Sequence, residues 1–171
     1  PSPLQRSLAA LLSVTPSLRW AASSCVYRPL AVFLGPFPPA AVEHICTCSS
    51  LTSAGVIYLL TALVDRSFVS FEATSGRACY RLHETMREFA RLRLIEAQEE
   101  NLAEQAHLAF FADLCRRADF DGGQPDDESK LRLLNELDVE ADNVRAALRH
   151  CLADPAGANV GFAMAAGLGR Y

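Results

Sequence analysis

The spacing of the apolar residues switches twice along this chain, and that double switch most constrains the fold. Up to residue 64 they recur every three or four positions, from 68 to 82 they alternate, and from 83 onward the wider spacing returns. A period near 3.6 lines up one face of a helix, and a period of 2 lines up one face of a strand. The chain therefore reads as helices, one hairpin, then helices.

Taken in order, Leu4, Leu8, Leu11 and Leu12 predict a first helix ending near Thr15-Pro16, and Ser17–Tyr27 predicts a weaker one closed by Pro29. Leu30–Leu34 is a short apolar run stopped by Gly35-Pro36-Phe37-Pro38-Pro39. Proline is tolerated in a first helical turn, so a helix starts there and ends near 46–48. Thr52 or Ser53 caps the next helix, 54–64, whose inner face is Val56, Leu59, Leu60 and Leu63. Phe68–Phe71 and Ala78–Leu82 read as strands joined through Ala73–Gly76. His83–Gln98 returns to helix, with Met86, Phe89, Ala90, Leu92 and Leu94 available for burial. Leu102–Ala118 presents Leu108, Phe111, Ala112 and Cys115 on one face. After a loop over 120–127, Ser129–Leu152 is helical with a break near Leu137-Asp138, and Ala158–Leu168 begins another helix. The expectation is a mainly α fold: a winged-helix domain over 1–98 with a two-stranded wing, then a helical extension over 99–171.

With 171 residues, half of them hydrophobic, the chain can build a real core; it is neither disordered nor collagen-like nor a supercharged nucleic-acid tail. Residues 1–82 carry six arginines against three acids, and 83–171 carry ten basic against seventeen acidic residues. That shift in charge marks two modules. Fifteen of the sixteen basic residues are arginine, which reflects a GC-rich coding sequence. There is no initiator methionine and both ends look cut, so a piece of a longer protein is expected. The apolar stretch Ala54–Val64 is far too short to span a membrane, and 7–14 too short for a secretion signal. The six cysteines then read as reduced, mostly buried thiols of a cytosolic protein.

Several chemistries fail on spacing. There is no phosphate-cradling G-x-x-x-x-G-K-[ST] and no G-x-S-x-G elbow. His83-Glu84-Thr85-Met86-Arg87 opens like the zinc motif H-E-x-x-H, but its fifth residue is arginine. His44, Cys46 and Cys48 lack a second ligand pair and read as structural. By order, the helix that would enter a DNA groove is 54–64, which contains no Arg, Lys, Asn or Gln. Base readout needs such groups, and affinity needs cations. Arg66, Arg77 and Arg81 can touch phosphates only from the wing. No catalytic constellation is present, so the chain is not expected to be an enzyme by itself.

Three stretches carry a resemblance: Leu60-Thr-Ala-Leu-Val-Asp-Arg-Ser-Phe-Val69, Tyr80-Arg-Leu-His-Glu-Thr-Met-Arg-Glu-Phe-Ala90 and Glu140-Ala-Asp-Asn-Val-Arg-Ala-Ala-Leu148. Leu30–Phe33 with Gly35-Pro36-Phe37, and His107–Phe111, fit the same alignment. Together they resemble the bacterial STAND-class signal-transduction ATPases, especially large LuxR-type transcription regulators. The match covers most of 28–150 and departs at 13–15, where Ser-Val-Thr stands in place of a Trp-Ser-Tyr type motif. The resemblance implies a P-loop ATPase module before this region, tetratricopeptide-like repeats from 99 onward, and a helix-turn-helix domain beyond them. ATP or ADP would belong to the parent protein, and the ATPase module would be an intramolecular partner. A protein or small-molecule effector would act through the repeats, and DNA would be met only by the missing domain.

The same resemblance implies roles for single residues. Leu82-His83-Glu84 matches a Met-His-Asp motif whose histidine approaches the β-phosphate of ADP, so His83 is a nucleotide-sensing candidate; the bland alternative is a helix cap. Arg87 is the second nucleotide-sensing candidate, bridging to the ATPase module, or joins Glu84, Glu88 and Arg91 on a solvated face. Asp65 and Glu84 are structural or interface residues. Glu140, Asp142, Asn143 and Arg145 read as a polar set ordering the first repeat pair. The relay segment of such a regulator is one reading; the alternative is a stand-alone winged-helix DNA-binding regulator with a helical dimerisation tail.

Overall fold

The computed structural model describes residues 25–46, 51–74, 76–118, 127–153 and 157–168. The first predicted helix and most of the second lie outside them, as does nearly all of the 120–127 loop. Cys25–Tyr27 is helical, and Pro29–Val32 forms a 3-10 turn with proline at its start. Helix α1 (Pro39–Cys46) buries Ala41, Val42, Ile45 and Cys46. Helix α2 (Ser53–Asp65) starts where Thr52 Oγ1 accepts from Gly55 N–H at 3.2 Å, and it buries the four predicted residues Val56, Leu59, Leu60 and Leu63. Ser67, at φ 60°, hands the chain over to the hairpin.

Strands β1 (Val69–Thr74) and β2 (Arg77–Leu82) pair antiparallel, from Val69 opposite Leu82 to Thr74 opposite Arg77. The strands run further toward the tip than the alternation indicated. The connection shrinks to two residues, with Gly76 at φ 76° supplying the positive dihedral such turns use. Phe37 and Tyr80 exchange N–H···O bonds of 2.8 and 2.9 Å, which fasten β2 to the body of the domain.

Helix α3 (Glu84–Glu96) buries Phe89, Ala90 and Leu94, whereas Leu92 is 41% exposed. At 100° per residue Leu92 lies about 160° around the helix from Ala90 and Leu94. Helix α4 (Glu100–Arg117) buries Ala103, His107, Phe111, Leu114 and Cys115. The predicted long helix is two, α5 (Asp127–Val139) and α6 (Ala141–Ala153), with the break at Glu140 rather than 137–138. Glu140 closes one helix and opens the next: its N–H donates to Glu136 O at 3.0 Å and its carbonyl accepts from Val144 N–H at 2.9 Å. Helix α7 (Ala158–Leu168) packs on α4 and α6. It fits only because Gly167 lacks a side chain: a Cβ there would stand 2.4 Å from the carbonyl oxygen of Cys115.

The architecture is thus mainly α, a winged helix with a two-stranded wing followed by a helical extension. One buried cluster runs from Val26 to Met164 and crosses position 98 without interruption. Its aromatic knot stacks Phe33 on Phe37 (centroids 4.3 Å apart) and sets Phe33 edge-on to Phe111 and His107. Arg28 adds a forked ion pair to Glu99, at 2.8 to 3.0 Å. Among the described residues no helix is long and apolar enough to cross a membrane.

Candidate functional site

Two of the residues singled out from the sequence, Asn143 and Arg87, reach one backbone turn, Leu34-Gly35-Pro36, and Glu140 and Glu84 support them there. Asn143 on α6 is fully buried and uses its whole amide there. Its Oδ1 accepts from Leu34 N–H and Gly35 N–H, both at 3.0 Å. Its Nδ2 donates to Pro36 O at 2.5 Å and to Glu140 Oε2 at 2.8 Å. Two acceptor lone pairs and two N–H groups are the full capacity of an asparagine side chain. Gly35 permits the approach, since a Cβ at 35 would lie 3.1 Å from Asp142 Cβ. From the other side, Arg87 Nη1 donates to Leu34 O at 3.4 Å, while Nη2 pairs with Glu84 Oε2 at 2.5 Å. The start of α3 and the start of α6 therefore meet at the same turn, α3 through Leu34 alone.

Glu140 is 2% exposed. Burial pushes its carboxyl up to about 7, and neighbouring Glu136 adds to the rise against the Asn143 hydrogen bond and Arg77. Arg77 reaches across from β2 to pair with Glu136 at 3.1 Å. Burial, then Glu140, also push the Cys79 thiol up. Arg77 thus ties the wing to α5, while Glu140 and Asn143 tie the α5–α6 junction to the 34–36 turn.

The four residues expected to order the first repeat pair divide their work. Asn143 and Glu140 face the winged-helix domain, because the 34–36 turn offers backbone groups that need partners. Asp142 and Arg145 form an exposed ion pair along α6, at 2.9 Å. His83 is the N-cap residue of α3, but its side chain makes no capping bond; it is exposed, and only its carbonyl is engaged, by Arg87 N–H at 2.8 Å. Asp65 ends α2, exposed. His44 lies beside the Phe110 ring and Cys46 Sγ meets Val26 O at 3.7 Å, while Cys48 falls outside the described residues. Sequence reasoning passed over Arg28 and His107. For His107 a signal was present, since it lies four residues before Phe111 on an apolar helical face.

The helix in the position of a recognition helix, α2, exposes Ala54, Tyr58, Thr61 and Asp65. Of the three wing-side arginines, Arg77 is held by Glu136 and Arg81 by Glu72. We expect duplex DNA to bind this chain alone more weakly than about 100 μM at 150 mM salt, below ordinary non-specific affinity. Fluorescence anisotropy with a labelled duplex checks this, and a micromolar, steeply salt-dependent isotherm would contradict it.

No family model matches the chain, and no solved structure matches it. Over 143 residues, 84% of its length, it is 32% identical to proteins provisionally named HTH-type transcriptional regulators in Mycobacterium tuberculosis and Mycobacterium bovis. It spans 16% of those relatives. The chain is therefore similar to part of a protein type named for transcriptional regulation.

Proposed function

We propose that this chain is the non-catalytic relay segment of a STAND-type, LuxR-like transcriptional regulator. It couples the nucleotide state of an ATPase module to helical sensor repeats. The observation that carries this reading is the shared grip on Leu34-Gly35-Pro36. A displacement of the His83–Arg87 corner meets α6 through that turn, so winged helix and helical array respond together. A relay needs such a physical connection between two faces.

His83 fits a nucleotide contact. It is exposed at the N-terminus of a thirteen-residue helix, and its side chain takes no part in the cap. Its imidazole can donate to a phosphate oxygen there, and the helix end favours anions. Arg87 is held by Glu84 and Leu34 and positions the corner. The cation-free face of α2 supports assigning DNA contacts to a domain outside this chain. Effectors would act through the repeats.

His83→Ala in the full-length regulator is expected to leave folding stability within about 0.5 kcal/mol, as for an exposed side chain without special contacts. It should speed ADP release several-fold, measured by stopped-flow displacement of a fluorescent ADP analogue. An unchanged off-rate defeats the sensor assignment.

A further inference from the structure

We infer that Arg77 on the wing is shared between two carboxyls at the α5–α6 junction, Glu136 and Glu140, and that a proton on Glu140 decides which of them holds it. The two acids lie one helical turn apart, since the Glu140 N–H donates to Glu136 O at 3.0 Å. Side chains so spaced share a face, about 5–6 Å from each other, within the swing of an arginine. Glu136 holds Arg77 in the structure, at 3.1 Å, and both side chains reach water, Arg77 43% and Glu136 17% exposed. Glu140 has no such outlet. It is buried, and among the described residues its carboxyl is hydrogen-bonded by Asn143 Nδ2 alone, at 2.8 Å. Asn143 has no further hydrogen bond to offer.

The groups that act on Glu140 are Glu136 from α5, Arg77 and the Cys79 thiol from β2, and Asn143 from α6. The 34–36 turn offers only backbone, with Arg87 beyond it paired to Glu84. Glu72 on β1 is paired with Arg81, and Asp142 on α6 with Arg145. Arg77 is the cation of the cluster, so two carboxyls answer to one guanidinium. With Glu140 protonated, Glu136 has no rival. An ionised Glu140 is a buried carboxylate beside a neutral donor, and such a charge must gain a cation or return to water. Arg77 supplies the cation, since Glu136, once released, turns to solvent from where it stands. Burial pushes Glu140 up to about 7, so Arg77 sits on Glu136 below neutrality and on Glu140 above it. Arg77 opens β2 directly after Gly76. The handover therefore draws the tip of the wing along α5 by about one helical turn. The exchange needs neither nucleotide nor an ATPase module, so its failure and that of the relay reading are separate.

The test titrates the 171-residue chain from pH 5.5 to 8.5, following the glutamate carboxyls and arginine guanidinium groups by NMR. The Glu140 carboxyl resonance should move with a midpoint near 7. The Arg77 guanidinium, the Ala78 amide and the Glu136 carboxyl should move at that same midpoint as the arginine changes hands. Glu140→Gln keeps the acceptor for Asn143 and should abolish the transition at Arg77, leaving it on Glu136. Glu136→Gln removes both the like charge and the competitor, and should lower the Glu140 midpoint by about one pH unit. Glu128→Gln, in an exposed ion pair at the start of α5, should change neither. A Glu140 that titrates while Arg77 stays still, an Arg77 transition that survives Glu140→Gln, a midpoint indifferent to Glu136→Gln, or no titration of Glu140 across this range overturns the switch.

Discussion

Asn143→Ala is expected to destabilise the chain by about 4 kcal/mol, read as a lower urea midpoint at unchanged slope. The truncation leaves Leu34 N–H, Gly35 N–H, Pro36 O and the Glu140 carboxyl without their partner. Each buried group so stranded costs about 1–3 kcal/mol, and partial relaxation keeps the total near the upper end of single-residue effects. Asn143→Asp sharpens the test. A carboxylate still accepts from both N–H groups, yet it cannot donate to Pro36 O and it faces Glu140 with like charge. It should be nearly as damaging at pH 8 and partly recover at pH 5, where Glu140 is protonated. Asp142→Ala removes only an exposed ion pair and should stay within about 0.5 kcal/mol. A loss below about 1 kcal/mol for Asn143→Ala would mean that the grip on the 34–36 turn does not hold the two parts together.

What was legible in the sequence, and what was not, follows from the range of the forces involved. The inner face of α2, the buried Phe89, Ala90 and Leu94 of α3, and the hairpin all express local periodicity, which a single window of sequence records. The true length of the strands depended on a two-residue turn at Gly76, which the richer Ala73–Gly76 stretch disguised. Glu140 separates two helices with no proline or glycine beside it to announce the break. Asn143 could be picked out from its motif, but its three backbone partners lie more than a hundred residues away, and nothing local names them. Gly35 looked like ordinary loop punctuation, though its small size is needed for the approach of Asp142. His107 sits in an apolar stripe as an aromatic would. That its Nε2 has no hydrogen-bond partner among the described residues only the packing of α4 reveals.

Two buried groups with opposite shifts give a pH profile that can be separated by mutation. Burial pulls the His107 imidazole from its ordinary 6.5 down to about 3. Between those values the unfolded chain holds a proton that the folded chain refuses, so stability is lost as pH falls from 6.5 toward 3. Burial pushes Glu140 from 4.5 up to about 7. There the folded chain holds a proton that the unfolded chain has released, so stability is lost as pH rises from 4.5 through 7. From 4.5 to 6.5 the two slopes oppose each other, and their sum is flat. Glu140→Gln keeps the acceptor for Asn143 but abolishes the carboxyl titration. Its stability relative to the native chain should therefore climb by about 1.4 kcal/mol per pH unit, roughly 2–3 kcal/mol between pH 4.5 and 6.5. His107→Phe keeps a ring against Phe33 and Phe111 and should show the opposite trend, falling over the same window. Urea unfolding at pH 4.5, 5.5, 6.5 and 7.5 measures both, and carboxylates common to all three chains cancel in the differences. Parallel curves would refute the burial of either charge. Diverging curves would place the weakest point of the grip above pH 7, where an ionised Glu140 is forced to share its pocket with Glu136.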